Sequence, residues 1–260
     1  MTTTIAIHGA VGRMGARLIA LGRADAELEV VEAIDRADHP GIGSDVGPLI
    51  GLGPIGLPLS DRHRTRAGAL IDFSTPVATL GIARACVELG TPLVVGTTGL
   101  EPEQKHELAE LARSIPILIS PNMSRAVNLL FRLVGEAAKA LGATADIEIV
   151  ERHHRFKKDA PSGTALRLAE VAAASVPGAK QIHGRSGITG ERTPGEIGVH
   201  ALRTGDNPGE HTVVFGLMGE CLELSHRALN RDGFALGALA AAKFLAGKPA
   251  GLYGMADVLG

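Results

Sequence analysis

The N-terminal segment places a short β-branched run, Thr4–His8, directly before GAVGRMG and a helical pattern, ARLIALGRA. Gly9, Gly12 and Gly15 give this turn the spacing G-x-x-G-x-x-G. Glycines at such a turn allow a tight bend, let the backbone approach a pyrophosphate and let the helix pack closely on the strand. The N–H groups at the helix start can then bind the phosphates. The segment predicts a dinucleotide-binding turn, and a purely structural strand-to-helix turn is the alternative.

Strands and helices continue to alternate up to about residue 124. Further strands are predicted at Glu27–Asp35 and in the segments AGALIDFST, TPLVVGTTGL and IPILISPN. Helical patterns separate the later strands, at Val77–Leu89 and in EPEQKHELAELARS, and a Gly/Pro-rich stretch before residue 60 predicts a loop. Alternation at this spacing is typical of a doubly wound parallel sheet. We predict an α/β Rossmann-type dinucleotide-binding domain over residues 1–124, completed by the C-terminal segment 233–260.

The pattern changes after residue 124. A long helix, Ala126–Leu141, precedes the alternating strand ADIEIVERHH and a helix at Gly163–Ala174. The strands EIGVHALR, GEHTVVFG and CLELSHRAL then follow one another without helices, which favours antiparallel pairing. Residues 125–232 are therefore predicted to form an α+β domain with a mostly antiparallel sheet.

Composition and charge exclude several classes of protein. The net charge is −2, with one Tyr and no Trp, so we expect neither a nucleic-acid binder nor a membrane-surface binder. The N-terminal segment is not typical of a signal peptide, and no apolar stretch is long enough to span a membrane. Cys86 and Cys221 lack metal-ligand or disulfide-framework spacing, so we expect no metal site and a cytoplasmic location.

Asp35 ends the second predicted strand and Arg36 follows it. An acid at this position can hydrogen-bond the adenosine ribose, which favours NAD. The adjacent guanidinium can pair with a 2′-phosphate, so the two residues together indicate tolerance of NADH and NADPH. The alternative is an Asp–Arg pair that only begins a loop. The segments GTTG and SPNMS close the next strands at the same sheet edge, where ligands bind in such folds.

The segment ERHHRFKKDAPSGTAL, Glu151–Leu166, concentrates protonatable groups before a helix. If a strand continued through Phe156, alternation would direct His153 to one face and His154 to the other. Histidine and lysine are suitable proton donors, and the N–H groups at the start of the helix are suited to an anion such as a carboxylate. The alternative is a basic, solvated loop capped by Ser162. Neighbouring histidines on a strand point apart, which argues against a metal.

These segments together resemble the 4-hydroxy-tetrahydrodipicolinate reductase family, also called dihydrodipicolinate reductases. The matching segments, in the order and spacing of the family, are GAVGRMG, IDFSTP, VVGTTG, SPNMSRAVN, EIVERHHRFKKDAPSGTAL, SGITGERTPGEIG, RTGDNPGEHTVVF and LELSHRA. The resemblance covers nearly the whole chain. The block around the two histidines is highly specific, whereas the glycine motif is not.

The resemblance implies a role for particular residues. His153 and Lys157 match the catalytic proton-transfer pair, and His154, Gly163 and Thr164 match the substrate-carboxylate contacts. The residues that match dinucleotide contacts are Gly9, Ala10, Val11, Gly12, Arg13, Met14, Asp35, Arg36, Gly96, Thr97, Thr98, Ser120, Pro121, Asn122 and Met123. The implied reaction is reduction of a small cyclic dicarboxylic imine by NADH or NADPH, in a homotetramer on the diaminopimelate route to lysine.

Arg152 and the Arg125–Ala126 pair depart from the residues usual in the family, which usually has alanine at the first of these positions. Strand alternation puts Arg152 on the opposite face from His153, so we do not expect it to replace a catalytic group. Two other functions compete with the reductase: a dinucleotide-sensing regulatory protein without turnover, and a reductase of another amino-acid-derived substrate, such as aspartate semialdehyde or homoserine.

Overall fold

The computed structural model describes residues 2–260 and contains two compact units. The first unit runs up to Arg125 and includes Arg231–Gly260, and the second is Ala126–Asn230. Within residues 2–260, no helix combines the length and the apolar character needed to cross a bilayer.

The first unit is built on a seven-stranded sheet flanked by helices. Its strands are β1 (Thr3–His8), β2 (Leu28–Ile34), β3 (Leu59–Ser60), β4 (Ala69–Asp72), β5 (Leu93–Val95), β6 (Pro116–Ile119) and β12 (Gly251–Tyr253). Its helices are α1 (Arg13–Ala24), α2 (Val46–Leu49), α3 (Pro76–Leu89), α4 (Pro102–Leu111), α7 (Asp232–Leu245) and α8 (Met255–Leu259).

The strand order in this sheet is β12-β6-β5-β4-β1-β2-β3, and every neighbouring pair is parallel. This is the predicted doubly wound Rossmann-type sheet. The order reverses between β1 and β4, so the chain leaves these two strands toward opposite sides. Such a switch point opens a crevice at the carboxyl ends of the strands, where ligands bind in open α/β sheets.

The core of the first unit follows from strands that are apolar on both faces. Ile5 and Ile7 of β1 and Leu70 of β4 are fully buried, as a sheet covered by helices on both sides requires. The Ala-rich helix α7 lies in the same core, where Gly237 allows close approach, since a Cβ there would lie 1.8 Å from the Met123 carbonyl oxygen.

The second unit has two helices and five strands. They are α5 (Arg125–Leu141), β7 (Asp146–His153), α6 (Gly163–Ala173), β8 (Lys180–Ile182), β9 (Glu196–Arg203), β10 (Glu210–Leu217) and β11 (Glu220–Arg227). The strand order is β11-β10-β7-β9-β8.

The prediction of a mostly antiparallel sheet in this unit is wrong, because the sheet is mixed. The pairs β10–β11 and β7–β10 are antiparallel, whereas β7–β9 and β8–β9 are parallel. Helix α6 forms the crossover from β7 to its parallel neighbours. The strands β9 and β10 are consecutive in sequence but lie on opposite sides of β7, so the lack of a helix between them did not make them partners.

One face of β7 changes character along its length. Ile147 and Ile149 are buried in an apolar cluster, and the next two residues on that face are Glu151 and His153. The register places His153 opposite Arg203 of β9 and Glu151 opposite His211 of β10. Three adjacent strands therefore bring polar side chains together at one end of an apolar sheet face.

Candidate functional site

The glycine turn after β1 leaves no room for side chains at two positions. Gly9 has a φ of +78°, and a Cβ there would lie 2.4 Å from the Phe73 carbonyl oxygen. A Cβ on Gly15 would lie 2.2 Å from the Gly9 carbonyl oxygen. Gly12 caps α1 without a side-chain hydrogen bond, and the first turn has no acidic residue. The N–H groups of Arg13 and Met14 therefore face an environment suited to an anion.

Asp35 joins the end of β2 to this turn. Its Oδ2 accepts the Val11 N–H at 3.0 Å, and its Oδ1 accepts the Arg36 N–H at 2.9 Å. Each oxygen retains a lone pair that can accept a ribose hydroxyl. The exposed Arg36 guanidinium lies 3.3 Å from Asp38, a surface pair of small energetic value that a bound phosphate can replace.

The sequence reasoning missed a buried carboxylate at the carboxyl end of β4. Asp72 has no exposed surface, and it accepts hydrogen bonds from the hydroxyls of Ser74, Thr79 and Thr97 at 2.6, 2.6 and 2.8 Å. His8 Nδ1 lies 2.7 Å from Asp72 Oδ1. Burial opposes ionisation, but the His8 contact and the hydroxyl donors outweigh it and lower the pKa of Asp72. Asp72 thus ties together the loops after β4 and β5.

The Gly96–Thr98 loop follows β5, as predicted. The Gly96 N–H donates to the Asp72 carbonyl oxygen at 2.9 Å, and a Cβ on Gly96 would lie 2.3 Å from the Phe73 ring. The Thr97 hydroxyl is used by Asp72, whereas Thr98 is exposed. This loop can therefore offer backbone groups and Thr98 to a ligand.

The Ser120–Met123 segment follows β6 in a tight turn. The Ser120 hydroxyl donates to the Asn122 carbonyl oxygen at 2.8 Å, and the Asn122 side chain accepts the Ser124 N–H at 2.9 Å. Pro121 is exposed, but the Met123 side chain is buried in the core. Only the backbone of Met123 can therefore contribute to a site.

These residues fit a dinucleotide. At the switch point, the turn after β1 has glycine at positions 9 and 15, where a Cβ would collide with the backbone. The N-terminus of α1 lies beside this turn, and Asp35 follows the adjacent strand β2. The predicted contacts Gly9 through Met14, Asp35, Arg36, Gly96 through Thr98 and Ser120 through Met123 all follow carboxyl ends of β1, β2, β5 or β6.

In the second unit, Glu151 is fully buried, and both of its carboxylate oxygens accept hydrogen bonds. Arg203 donates to both of its oxygens at 2.8 Å, and the Ser162 N–H donates to Oε1 at 3.0 Å. His153 Nδ1 lies 2.6 Å from Oε2. Burial opposes ionisation of Glu151, but the bonds from Arg203 and His153 outweigh it and lower the pKa of this carboxyl. The sequence reasoning identified His153 but assigned no role to Glu151 or Arg203.

A second histidine lies against His153. The rings of His153 and His211 are 5.2 Å apart in an edge-to-face arrangement, and His211 Nε2 lies 3.1 Å from the Ser162 hydroxyl. Burial and the nearby His153 lower the pKa of His211 to about 3, so it is neutral near pH 7. Burial also lowers the pKa of His153, although Glu151 opposes this effect.

The strand carrying these residues is shorter than expected. It ends at His153, and a turn follows in which the Lys157 N–H donates to the His154 carbonyl oxygen at 3.1 Å. The expected alternation through Phe156 is therefore wrong beyond His153. The turn brings the Lys157 ammonium 2.9 Å from the Asp159 carboxylate, which lowers the pKa of Asp159.

His154 and the start of α6 lie on either side of this turn in sequence. Within residues 2–260, His154 Nδ1 is buried and has no hydrogen-bond partner, as is also true of His211 Nδ1 and His226 Nδ1. Ser162 caps α6 by accepting the Ala165 N–H at 3.2 Å. Gly163, the first helical residue, is exposed, with open space where a Cβ would be. Thr164 follows it, half-buried, in the first turn.

Arg152 has a structural partner on the opposite face of the sheet. It lies across from Glu210 of β10 and forms an ion pair with it, and Arg227 contacts the same carboxylate at 2.7 Å. Arg152 therefore belongs to a cross-strand charge cluster with Glu210 and Arg227, on the face of the sheet opposite His153.

A glycine turn at the switch point of a doubly wound sheet is typical of dinucleotide-dependent oxidoreductases. The family model described as "Dihydrodipicolinate reductase, N-terminus" matches residues 3–123, and the one described as "Dihydrodipicolinate reductase, C-terminus" matches residues 126–259. The chain belongs to the dihydrodipicolinate reductase family.

Similar proteins agree with this assignment. The chain is 51% identical over 269 residues to the 4-hydroxy-tetrahydrodipicolinate reductase of Rhodopirellula baltica, covering 99% of this chain and 96% of the relative. It is 48% identical to the reductase of the same name from Anaeromyxobacter dehalogenans, covering 99% and 98%. The dipicolinate-bound dihydrodipicolinate reductase from Paenisporosarcina sp. TG-14 superimposes with a TM-score of 0.78 at 25% identity, covering 99% of each chain.

Proposed function

We propose that this chain reduces 4-hydroxy-tetrahydrodipicolinate to tetrahydrodipicolinate with NADH or NADPH, on the diaminopimelate route to lysine. The observation that carries the proposal is the arrangement around His153, whose ring is held by a buried carboxylate at the end of β7. The turn that follows supplies Lys157 and leads into the N-terminus of α6. A protein that only senses a dinucleotide has no need of such a proton-transfer pair.

The first unit provides the residues that would hold the cofactor. The turn Gly9–Met14 and the N-terminus of α1 would bind the pyrophosphate, and Asp35 would bind the adenosine ribose. Arg36 would accommodate a 2′-phosphate, which supports use of either NADH or NADPH. The backbone of the Gly96–Thr98 and Ser120–Met123 segments would line the remainder. When bound, the reduced nicotinamide supplies a hydride.

The second unit provides the substrate contacts. A cyclic dicarboxylate needs hydrogen-bond donors that compensate two negative charges. His154, with an unpartnered Nδ1, and the backbone of Gly163 and Thr164 at the positive end of the α6 dipole meet this need. The binding of dipicolinate to the similar Paenisporosarcina protein supports a planar dicarboxylate as the ligand.

His153 and Lys157 would transfer the proton that completes the reduction. The 4-hydroxyl group first leaves as water together with a hydrogen of the neighbouring ring carbon, which forms a double bond conjugated with the imine. A hydride then adds at ring C4, and a proton returns to the neighbouring carbon. Hydride addition leaves an electron pair on that carbon, as an enamine, and this carbon accepts a proton from the His153–Lys157 pair. Glu151 holds His153 Nδ1, so Nε2 is the ring nitrogen that exchanges protons. The nearby Lys157 charge also favours an anionic substrate.

We further propose a homotetramer, a cytoplasmic location and two functional domains, residues 1–124 with 233–260 and residues 125–232. The tetramer is supported by the resemblance and by exposed apolar side chains in the second unit, at Leu202 and Leu222 on the sheet and at Met218 in the turn between β10 and β11. Sedimentation velocity tests it, since a monomer at micromolar concentration would contradict it. The location follows from the need for reduced dinucleotide, and it is tested by fractionation of the source cells.

The decisive experiment follows NADH consumption, by its absorbance, after addition of freshly generated 4-hydroxy-tetrahydrodipicolinate. We expect rapid oxidation that depends on substrate. Unchanged NADH, with cofactor binding intact by fluorescence titration, would instead support a sensor. Aspartate semialdehyde and homoserine serve as comparison substrates, and preferential turnover of either would replace the proposed substrate.

A further inference from the structure

We propose that Glu151 and Arg203 are positioning residues for His153. Glu151 fixes the imidazole tautomer with its proton on Nδ1, and Arg203 limits how strongly that carboxylate holds the protonated ring. The proposal rests on the proposed function only in giving His153 a proton to transfer. Neither residue contacts the predicted substrate groups, so both act through His153.

The tautomer follows from the hydrogen-bond inventory of Glu151. An ionised carboxylate only accepts hydrogen bonds, so the Nδ1 atom 2.6 Å from Oε2 must carry the hydrogen. The neutral ring then has its lone pair on Nε2. This nitrogen faces the backbone of Gly209, where a Cβ would lie 2.8 Å away. A side chain at position 209 would therefore collide with Nε2, and glycine avoids this contact.

Arg203 changes what Glu151 can do for the protonated ring. A carboxylate paired with imidazole alone would strongly favour the imidazolium. Here both oxygens already accept bonds from the guanidinium at 2.8 Å, and the Ser162 N–H adds a third donor. The negative charge is therefore shared, and the proton on Nε2 is held less tightly and is easier to transfer.

The other charged groups around His153 each raise or lower the pKa of its ring. Lys157, from the turn after β7, and Arg203, from β9, both disfavour the imidazolium, whereas Glu151 favours it. His211, from β10, is neutral near pH 7, and its own neighbour His226 on β11 lies farther from His153. Asp159 pairs with Lys157 and offsets part of its charge. Removal of Glu151 and removal of Arg203 should therefore have opposite effects.

The test is an NMR titration of the full-length protein with ¹³C- and ¹⁵N-labelled histidine, without cofactor or substrate. His153→Gln identifies the signals. In the wild type, the ¹⁵N shifts should show the proton on Nδ1. Glu151→Gln should lower the His153 titration midpoint and mix the tautomers, because an amide can either donate or accept. Arg203→Gln should raise the midpoint. Glu170→Gln, which breaks an exposed pair with Arg167, is the matched control and should change neither.

The double variant Glu151→Gln/Arg203→Gln leaves no charge buried alone, and it keeps the test valid if Arg203→Gln does not fold. Its midpoint should lie above that of Glu151→Gln. Shifts in the same direction for both single variants, or none, would overturn the proposal. A double-variant midpoint at or below that of Glu151→Gln would do the same.

Kinetics give the second measurement. Glu151→Gln should lower kcat roughly 10²-fold, at the low end of what general acid–base catalysis contributes, with the Kd for NADH unchanged. A failure of the proposed function can be distinguished from a failure of the positioning role. If the wild type has no reductase activity while the midpoints move as expected, the proposed function fails and the positioning stands. If activity is present and the midpoints do not move, only the positioning fails.

Discussion

Replacement of Ser162 by alanine removes a single oxygen that supports two parts of the candidate site. Its hydroxyl caps α6 through the Ala165 N–H at 3.2 Å and contacts His211 Nε2 at 3.1 Å. Loss of a helix cap costs about 1 kcal/mol. Leaving a buried imidazole nitrogen without its partner costs about 1–3 kcal/mol more. We therefore expect Ser162→Ala to lower the free energy of unfolding of the second unit by roughly 2–4 kcal/mol.

Urea denaturation followed by circular dichroism measures this effect. With a slope of about 2 kcal/mol per molar urea, the midpoint should fall by roughly 1–2 M. The control is Ser175→Ala, just beyond the other end of α6, which should change the free energy by less than about 0.5 kcal/mol. Dipicolinate affinity should fall in Ser162→Ala alone, since the helix start loses its geometry. If the two variants were equally stable, the role assigned to the Ser162 hydroxyl would be refuted.

His153→Ala or Lys157→Ala should each lower kcat roughly 10²-fold or more in steady-state assays, because general acid–base catalysis is lost. The Kd for NADH should be unchanged, and its collapse would show that the roles are misassigned. Arg36→Ala should raise KM for NADPH with little effect on NADH, and equal losses would contradict the 2′-phosphate assignment. Arg185 and other donors overcome burial and lower the pKa of Glu148 from 4.5 to about 2. The stabilisation this provides is therefore present above pH 4.5 and is lost as the pH falls toward 2. Solvent screening of this partly exposed carboxylate keeps it below about 3 kcal/mol. Urea midpoints should separate wild type from Glu148→Gln at pH 7 and converge near pH 2; an equal gap at both would refute the linkage.

The class of the first sheet, parallel and doubly wound, was predictable because it follows from local signals. Strands such as β4 and β5 are continuous apolar runs separated by helices, and a parallel sheet covered on both sides requires that pattern. The strands β3 and β12 were missed because they have only two and three residues. Their pairing is decided by the neighbouring strands, and so short a segment shows no periodicity.

The second sheet was predicted incorrectly because strand order is not a local property. The strands β9 and β10 are joined by a short connection, yet β7 lies between them. The sequence shows where each strand is but carries no local sign that β7 accepts a parallel partner on one side and an antiparallel partner on the other.

In the candidate site, too, residues of one segment were predictable, whereas residues from distant strands were not. Glu151, His153 and Lys157 stand in one segment, and chemistry alone marks that segment for attention. Arg203 comes from a strand 52 residues away from Glu151, and His211 from a strand 49 residues away from Ser162. Only the strand register brings them to His153. Arg152, which sequence reasoning could not place, is explained by Glu210 across the same register.

The central claim is that the chain transfers a hydride to the ring of a cyclic dicarboxylate and protonates the adjacent carbon. The most direct measurement uses NADH deuterated at both C4 positions, in ordinary water, with mass spectrometry of the tetrahydrodipicolinate formed. We expect a single deuterium on the ring, and a parallel reaction with ordinary NADH in deuterated water should add a solvent deuterium at the neighbouring carbon. A product that carries no deuterium from the cofactor would contradict the account.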